Sequence, residues 1–288
     1  MTVLVTGASG FIGAAVVRRL ASAGTSHVTV GRASGDVQVD LAVDGAADAL
    51  IREVRPSRVI HLAWHADDRI TALENLDWVG YTASLLRAAM AHGVAHVLTA
   101  GTCFEWGYLP DGPVAPRTLY GAAKLAVAQL GVGLCAAEEL SVGHARVFYA
   151  YGPGEQQPRL MPAVGQALLA GETVETTAGL QRRDYLYVDD LADALILASA
   201  RSLTGVYDVA SGTSIAVREI IDGLAERIPT GEIARGELDR VDAATDEIVG
   251  DPTDLHALGW RPSVPLGEGL DRSIDWLRTT SFPLREDI

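Results

Sequence analysis

The chain has 288 residues and a mass of 30.4 kDa, enough for one large fold or for two lobes around a cleft. Its composition, 48% hydrophobic and 21% charged, is that of a folded globular protein and excludes a disordered chain. With 23 Lys plus Arg against 37 Asp plus Glu, the formal charge of −14 disfavours nucleic-acid and membrane-surface partners. The two cysteines, Cys103 and Cys135, cannot build a disulfide framework or a Cys-rich zinc site, so no metal is expected.

In chain order, a β-branched run over 2–6 leads at once into a glycine turn, and a helical pattern follows over 11–23. This start lacks the basic residues and longer apolar run of a secretory signal, and no segment is expected to reach the length of a membrane span. The reading is therefore cytoplasmic. Strand patterns over 27–30, 58–62, 96–99 and 142–148 alternate with helical patterns over 44–54, 72–92 and 119–139. Such alternation implies right-handed crossovers and a parallel sheet covered on both faces, an α/β fold. Past 151–154, Gly and Pro become frequent and the alternation loosens. A helix over 188–200 and a strand over 206–209 return to the earlier style. We therefore expect a first unit over 1–155, joined again by 184–210, and a smaller lobe over 156–288. The acidic, weakly patterned stretch 231–250 reads as a surface excursion.

The turn Gly7-Ala8-Ser9-Gly10-Phe11-Ile12-Gly13 joins a strand to a helix. In that context Gly7 permits the tight turn, Gly10 lets backbone amides approach a pyrophosphate, and Gly13 lets the helix pack closely on the sheet. The helix N-terminus adds unpaired N–H groups and a dipole favourable to an anion, which points to a bound dinucleotide. At the end of the second strand an acid would bind the ribose hydroxyls of NAD, whereas an arginine pairs with the extra phosphate of NADP. Arg32 stands there and its fork suits a phosphate; Asp36 is the nearest acid and the residue that would favour NAD. Asp40 and Leu41, after the next short strand, are placed to hold the adenine, with a simple turn aspartate as the alternative.

Tyr120 and Lys124 open a long helical pattern at i, i+4 spacing, which puts phenol and ammonium on one face. A free phenol, with a pKa of about 10, is a poor proton donor and acceptor near neutrality. A neighbouring ammonium stabilises the phenolate and makes proton transfer with a reacting hydroxyl or carbonyl feasible.

These motifs, with VIHLAW at 59–64, GTCFEWG at 101–107, RDYLYVDDLADAL at 183–195 and LGWRPSVPLGEGL at 258–270, resemble the extended short-chain dehydrogenase/reductase superfamily. Within it they resemble the branch acting on nucleotide sugars, over nearly the whole chain. The resemblance implies a Rossmann-like doubly wound sheet with a smaller C-terminal substrate-binding lobe. It implies that Thr102 hydrogen-bonds the reacting sugar oxygen, that Tyr120 is the acid–base, and that Lys124 binds the nicotinamide ribose and tunes the phenol. Gly7, Ser9, Gly10, Phe11, Ile12, Gly13, Leu62, Ala63, His65 and Tyr149 would line the cofactor. Cys103, Phe104, Gln157, Met161 and Arg183 would face the substrate, and Trp106 would border the sugar pocket. An ion pair of Arg183 with Asp184 or Asp189 is the competing reading for that arginine. Asp189 and Asp190 are expected to cap the following helix, and His61 to be a core histidine.

The departures from the pattern narrow the chemistry. Sugar 4,6-dehydratases of this branch carry Asp-Glu after the threonine, the acids that eliminate water; here Cys103 and Phe104 stand there, and Glu105, one position later, is expected to point elsewhere. What remains is hydride transfer at one carbon. The first expectation is an NADPH-dependent nucleoside-diphosphate 4-keto-6-deoxyhexose ketoreductase, the second an NAD-dependent nucleotide-sugar 4-epimerase, and the third a non-catalytic dinucleotide sensor. Cys103 also stands where a relative resembling GDP-fucose synthase uses a thiol as acid–base, with packing as the alternative. The apolar helices 72–92 and 119–139 are expected to form a homodimer interface.

Overall fold

The four residues Val3–Thr6 are buried on both faces, as a central strand of a parallel sheet must be. The computed structural model describes residues 2–64, 70–105, 116, 118–238 and 247–280. The elements run β1 (Val3–Thr6), α1 (Phe11–Ser22), β2 (His27–Gly31), β3 (Val37–Gln38), α2 (Ala46–Val54), β4 (Arg58–His61), α3 (Glu74–Ala91), β5 (His96–Thr102), α4 (Leu119–Ala136) and β6 (Val142–Val147). They continue β7 (Tyr149–Tyr151), α5 (Leu160–Leu169), β8 (Thr173–Thr176), β9 (Arg182–Tyr187), α6 (Val188–Ala200), β10 (Gly205–Val209), β11 (Ser214–Ala216), α7 (Val217–Arg227), β12 (Glu232–Arg235), β13 (Glu247–Ile248), α8 (Thr253–Ala257) and α9 (Leu266–Thr279).

Seven strands form one parallel sheet in the order β10-β6-β5-β4-β1-β2-β3. The chain moves outward from β1 to β3, then crosses back to β4 on the other side of β1. That reversal makes the crevice beyond the carboxyl ends of β1 and β4 the natural ligand position. One face is sealed by α1 and α6, with Val16, Leu20, Leu191 and Leu195 in the core; α2 and α3 seal the other with Leu50, Ile51, Leu85 and Leu86. A third core, including Leu168, Ile220, Leu224 and Leu270, joins α5, α7 and α9 beside the smaller sheets.

The expected elements of the first half are present within a few residues, and β10 lies on the large sheet. The sequence expectation differs from the structure at three places. The stretch 231–250 is not only an excursion: β12 pairs with β8, and β13 with β9. Asp189 and Asp190 do not cap α6, whose N-cap is Tyr187. Asp189 pairs with Arg18 at 2.6 Å, and Asp190 accepts Ser263 Oγ and the Val264 amide, fastening the C-terminal segment to α6. Finally, α4 is 18 residues long with mean hydropathy 1.4, long and apolar enough by composition to cross a bilayer. Its buried residues, including Tyr120, Lys124, Val127 and Gly131, instead make it a wall of the large sheet.

Candidate functional site

The glycine turn closes on itself. Gly7 has φ +68°, and a Cβ there would lie 2.6 Å from the Ala63 amide nitrogen; a Cβ on Gly13 would lie 2.0 Å from the Gly7 carbonyl oxygen. Only glycine permits that approach of turn, helix and β4 end. Ser9 and Gly10 are exposed, Phe11 and Ile12 are half-buried, and no side chain caps the first turn of α1. Open amides at a helix start, framed by Leu62 and Ala63, are the donor set that a dinucleotide pyrophosphate requires. The protein backbone here therefore fits that cofactor.

At the end of β2, Asp36 folds back on the strand. Its Oδ2 accepts the Thr29 amide at 2.9 Å and the Thr29 hydroxyl at 2.8 Å, bonds that hold the carboxyl below its ordinary range. Arg32 is exposed and makes no ion pair or hydrogen bond among the described residues. Asp40 accepts the Ala42 amide at 3.0 Å, a turn aspartate with one oxygen engaged, and Leu41 is buried in the core against α2 and α3. His65 and Trp106 lie outside the described residues.

The catalytic candidates converge at the carboxyl end of β5 and the start of α4. Thr118 caps α4 by accepting the Gly121 amide at 3.0 Å. A Cβ on Gly121 would meet the Phe104 carbonyl oxygen at 2.2 Å, so glycine lets the first turn of α4 lie against the 103–105 turn. This packing brings Tyr120 against the 103–105 turn: the Tyr120 and Phe104 rings are 6.4 Å apart, edge to face. Tyr120, Thr102 and Lys124 are all buried, at 9%, 5% and 5% exposure. The Lys124 ammonium donates to the Ala100 carbonyl at 2.8 Å and stands 3.7 Å from the centre of the Trp64 ring and 5.8 Å from that of Tyr120. Trp64 is itself fixed, its indole N–H donating to Asn75 Oδ1 at 2.8 Å and its ring packed on Trp78 and Tyr120. Thr102 Oγ1 accepts the Phe104 amide at 3.3 Å, which leaves the hydroxyl proton for another acceptor.

Phe104 continues the aromatic wall to Tyr149, which packs on Tyr185 and lies beside the Arg183 guanidinium. Tyr149 thus stands with the residues expected to face substrate. Burial is the main cause that raises its phenol, with Cys103 adding to the rise and Arg183 opposing it. Asp184 is held by Ser211, Gly212 and Gly250, not by Arg183, and Asp189 is held by Arg18. Gln157 hydrogen-bonds Gln166, and Met161 packs in the core of α5, α7 and α9, which Tyr185 borders. His61 is the core histidine expected, its ring between Thr6 and Thr82. Desolvation, and after it the Lys124 charge, pushes its pKa down to about 3.

Sequence reasoning does not single out Asn75, or His144 beneath Thr102, and Trp64 enters it only as part of a motif. Trp64 directly follows the apolar end of β4, which is the one available signal. Asn75 and His144 reach the site only through contacts distant in sequence. Among the described residues no cluster of three or more His, Cys, Asp or Glu side chains suits a metal ion.

A parallel sheet reversing at β1 and β4, a glycine turn at that reversal, and a buried Thr–Tyr–Lys set define an enzyme of the extended short-chain dehydrogenase/reductase type, dependent on NAD(P). The chain belongs to the NAD dependent epimerase/dehydratase family, whose model matches residues 3–210. It is 27% identical to the UDP-glucose 4-epimerase of Mycolicibacterium smegmatis, over 98% of this chain and 100% of that one. Among solved structures it is similar to the UDP-glucose 4-epimerase of Thermus thermophilus in complex with NAD, at 29% identity and TM-score 0.82, over 98% and 100% of the two chains. It is similar also to RMD from Pseudomonas aeruginosa complexed with NADPH, at 26% identity and TM-score 0.83, over 97% and 99%. Relatives thus bind one dinucleotide or the other.

Proposed function

We propose that the protein is an NADPH-dependent reductase of the 4-keto group of a 6-deoxyhexose carried on a nucleoside diphosphate. The observation that carries this reading is the site's composition. Thr102, Tyr120 and Lys124 are all buried, with Lys124 Nζ 5.8 Å from the Tyr120 ring centre, while Cys103 and Phe104 supply no carboxyl for the elimination of water. Bound NADPH supplies the hydride. Thr102 donates its hydroxyl proton to the carbonyl oxygen and so polarises it. Tyr120 gives its phenolic proton to the same oxygen as charge develops there. The Lys124 ammonium stabilises the phenolate left behind, and burial among Trp64, Phe104 and Tyr149 strengthens that interaction by excluding water. The aromatic wall of Phe104 and Tyr149 suits the C–H face of a deoxy sugar, and Arg183 behind it suits the diphosphate.

The choice of NADPH is supported by Asp36, which has one oxygen engaged by Thr29, and by Arg32, which is exposed at the end of β2 and makes no ion pair among the described residues. A second reading, NAD-dependent 4-epimerisation of a nucleotide sugar, is favoured by the likeness to the two UDP-glucose 4-epimerases. The same Thr102 and Tyr120 would then move the proton in both directions. A homodimer is proposed with it, through α3 and α4, where Leu76, Leu130 and Val132 are exposed. The test is to give the purified protein NADPH with dTDP-4-keto-6-deoxyglucose in one arm and NAD with UDP-glucose in the other. Stoichiometric NADPH oxidation supports the reductase. Conversion of UDP-glucose without net change in cofactor reverses the ranking.

A further inference from the structure

The end of β5 is underlaid by a buried acid and a buried imidazole that the reaction itself does not use. Glu105 and His144 side chains are 1% and 2% exposed, and Glu105 Oε1 lies 3.0 Å from His144 Nε2. The same carboxylate oxygen accepts the backbone N–H of Thr102 at 2.7 Å. His144 Nδ1 lies 2.8 Å from Thr99 Oγ1. A ring protonated at Nε2 donates to Glu105, while Nδ1 meets the Thr99 hydroxyl, which also lies 3.3 Å from the Gly143 carbonyl. Room for the pair comes from Gly101, where a Cβ would lie 2.2 Å from His144 Nε2 and 2.4 Å from Glu105 Oε1. Glu105 Oε2 is buried with no hydrogen-bond partner among the described residues.

Burying a carboxylate with one oxygen unsatisfied is costly, and an apolar side chain beneath a strand end would avoid that cost. Among the described residues the carboxylate's one hydrogen-bond partner besides His144 is the amide of Thr102, the residue whose hydroxyl the proposed function sets against the reacting oxygen. Thr102 is therefore held at both ends: its N–H by Glu105, its Oγ1 by the Phe104 amide. We infer that Glu105 and His144 are a positioning pair for catalysis, fixing the Thr102 hydroxyl through its backbone amide. The inference rests on the reading of Thr102 as the residue that polarises the sugar carbonyl.

The experiment is steady-state reduction of dTDP-4-keto-6-deoxyglucose by NADPH with the full chain, alongside the NADPH Kd and the melting temperature of each variant. Glu105→Ala leaves the Thr102 amide without its acceptor, and kcat falls about ten- to a hundredfold, with KM and the NADPH Kd within about twofold. Glu105→Gln keeps an oxygen acceptor and restores kcat to within about threefold of wild type. In a Thr102→Val background, Glu105→Ala lowers the residual rate by less than about twofold, because its target is gone. An unchanged kcat in folded Glu105→Ala overturns the inference, as does a full further loss in the Thr102→Val background. If Glu105→Ala does not fold, His144→Phe takes its place, with a loss of about three- to tenfold that also requires Thr102; an unchanged kcat again overturns the pairing. Full activity in Thr102→Val alone defeats the reading of Thr102 itself, and the positioning role with it.

Discussion

Replacing Arg32 with alanine separates the two dinucleotides. In the structure the guanidinium is exposed at the end of β2 and makes no ion pair among the described residues, so no internal contact is broken when it meets a phosphate. Asp36, the acid that would otherwise hold ribose hydroxyls, has one oxygen taken by two donors of Thr29. Charge-assisted hydrogen bonds to a phosphate contribute about 1.5–3 kcal/mol, which converts to a rise in the NADPH Kd of about ten- to 150-fold in Arg32→Ala. NADH lacks the phosphate, and its Kd is expected to stay within about twofold. Titration of wild type and variant with each cofactor, at low and moderate salt, measures both quantities. The difference narrows as salt rises, because the site is open to solvent. Equal weakening of NADPH and NADH, or no weakening of either, would refute the reasoning.

Other outcomes follow from single positions. Gly13→Ala puts a methyl 2.0 Å from the Gly7 carbonyl oxygen. Backbone on both sides of that contact must move, so binding of either dinucleotide is expected to weaken by at least about a hundredfold and the melting temperature to fall; calorimetry and fluorescence titration check this. His61 and His96 are held neutral by burial, with pKa values near 3 and 4 against an ordinary 6.5. The unfolded chain protonates both below pH 6.5 while the folded chain does not, so their contribution is complete above that pH and is lost as pH falls toward the folded values. For each ring the slope approaches about 1.4 kcal/mol per pH unit in the acid part of that window. Urea unfolding at pH 7 and pH 5 is expected to show a smaller loss in His61→Gln than in wild type. An identical loss would mean that His61 already carries a proton in the folded state.

The first half of the fold was legible because its strands are short β-branched runs, fully buried in β1 and largely so in β4 and β5, separated by helix-length apolar patterns. Sequence spacing was enough to bring Tyr120 and Lys124 together, since i, i+4 geometry belongs to the helix itself. It was enough for the glycine turn as well, where the steric demand is local. The second lobe was less legible. Glu232–Arg235 and Thr173–Thr176 pair as strands although neither has a fully apolar face, and that pairing is decided by partners far along the chain. Asp190 reads as a helix cap from its position, yet tertiary contacts with Ser263 and Val264 claim its carboxylate. Glu105 was expected to point away from the reacting carbon, and its carboxylate does turn beneath β5. Its partner His144 lies 39 residues further on, on the neighbouring strand, and no local pattern announces that contact.

The central claim is that the Tyr120 phenol moves the proton while hydride is exchanged beside it, and Tyr120→Phe tests this most directly. The ring and its packing against Phe104 and Trp64 remain, and only the oxygen is lost. With NADPH and dTDP-4-keto-6-deoxyglucose, kcat is expected to fall by about a hundred- to ten-thousandfold while the NADPH Kd stays within about twofold. A variant that binds NADPH normally and keeps more than about a tenth of the wild-type kcat would contradict the account.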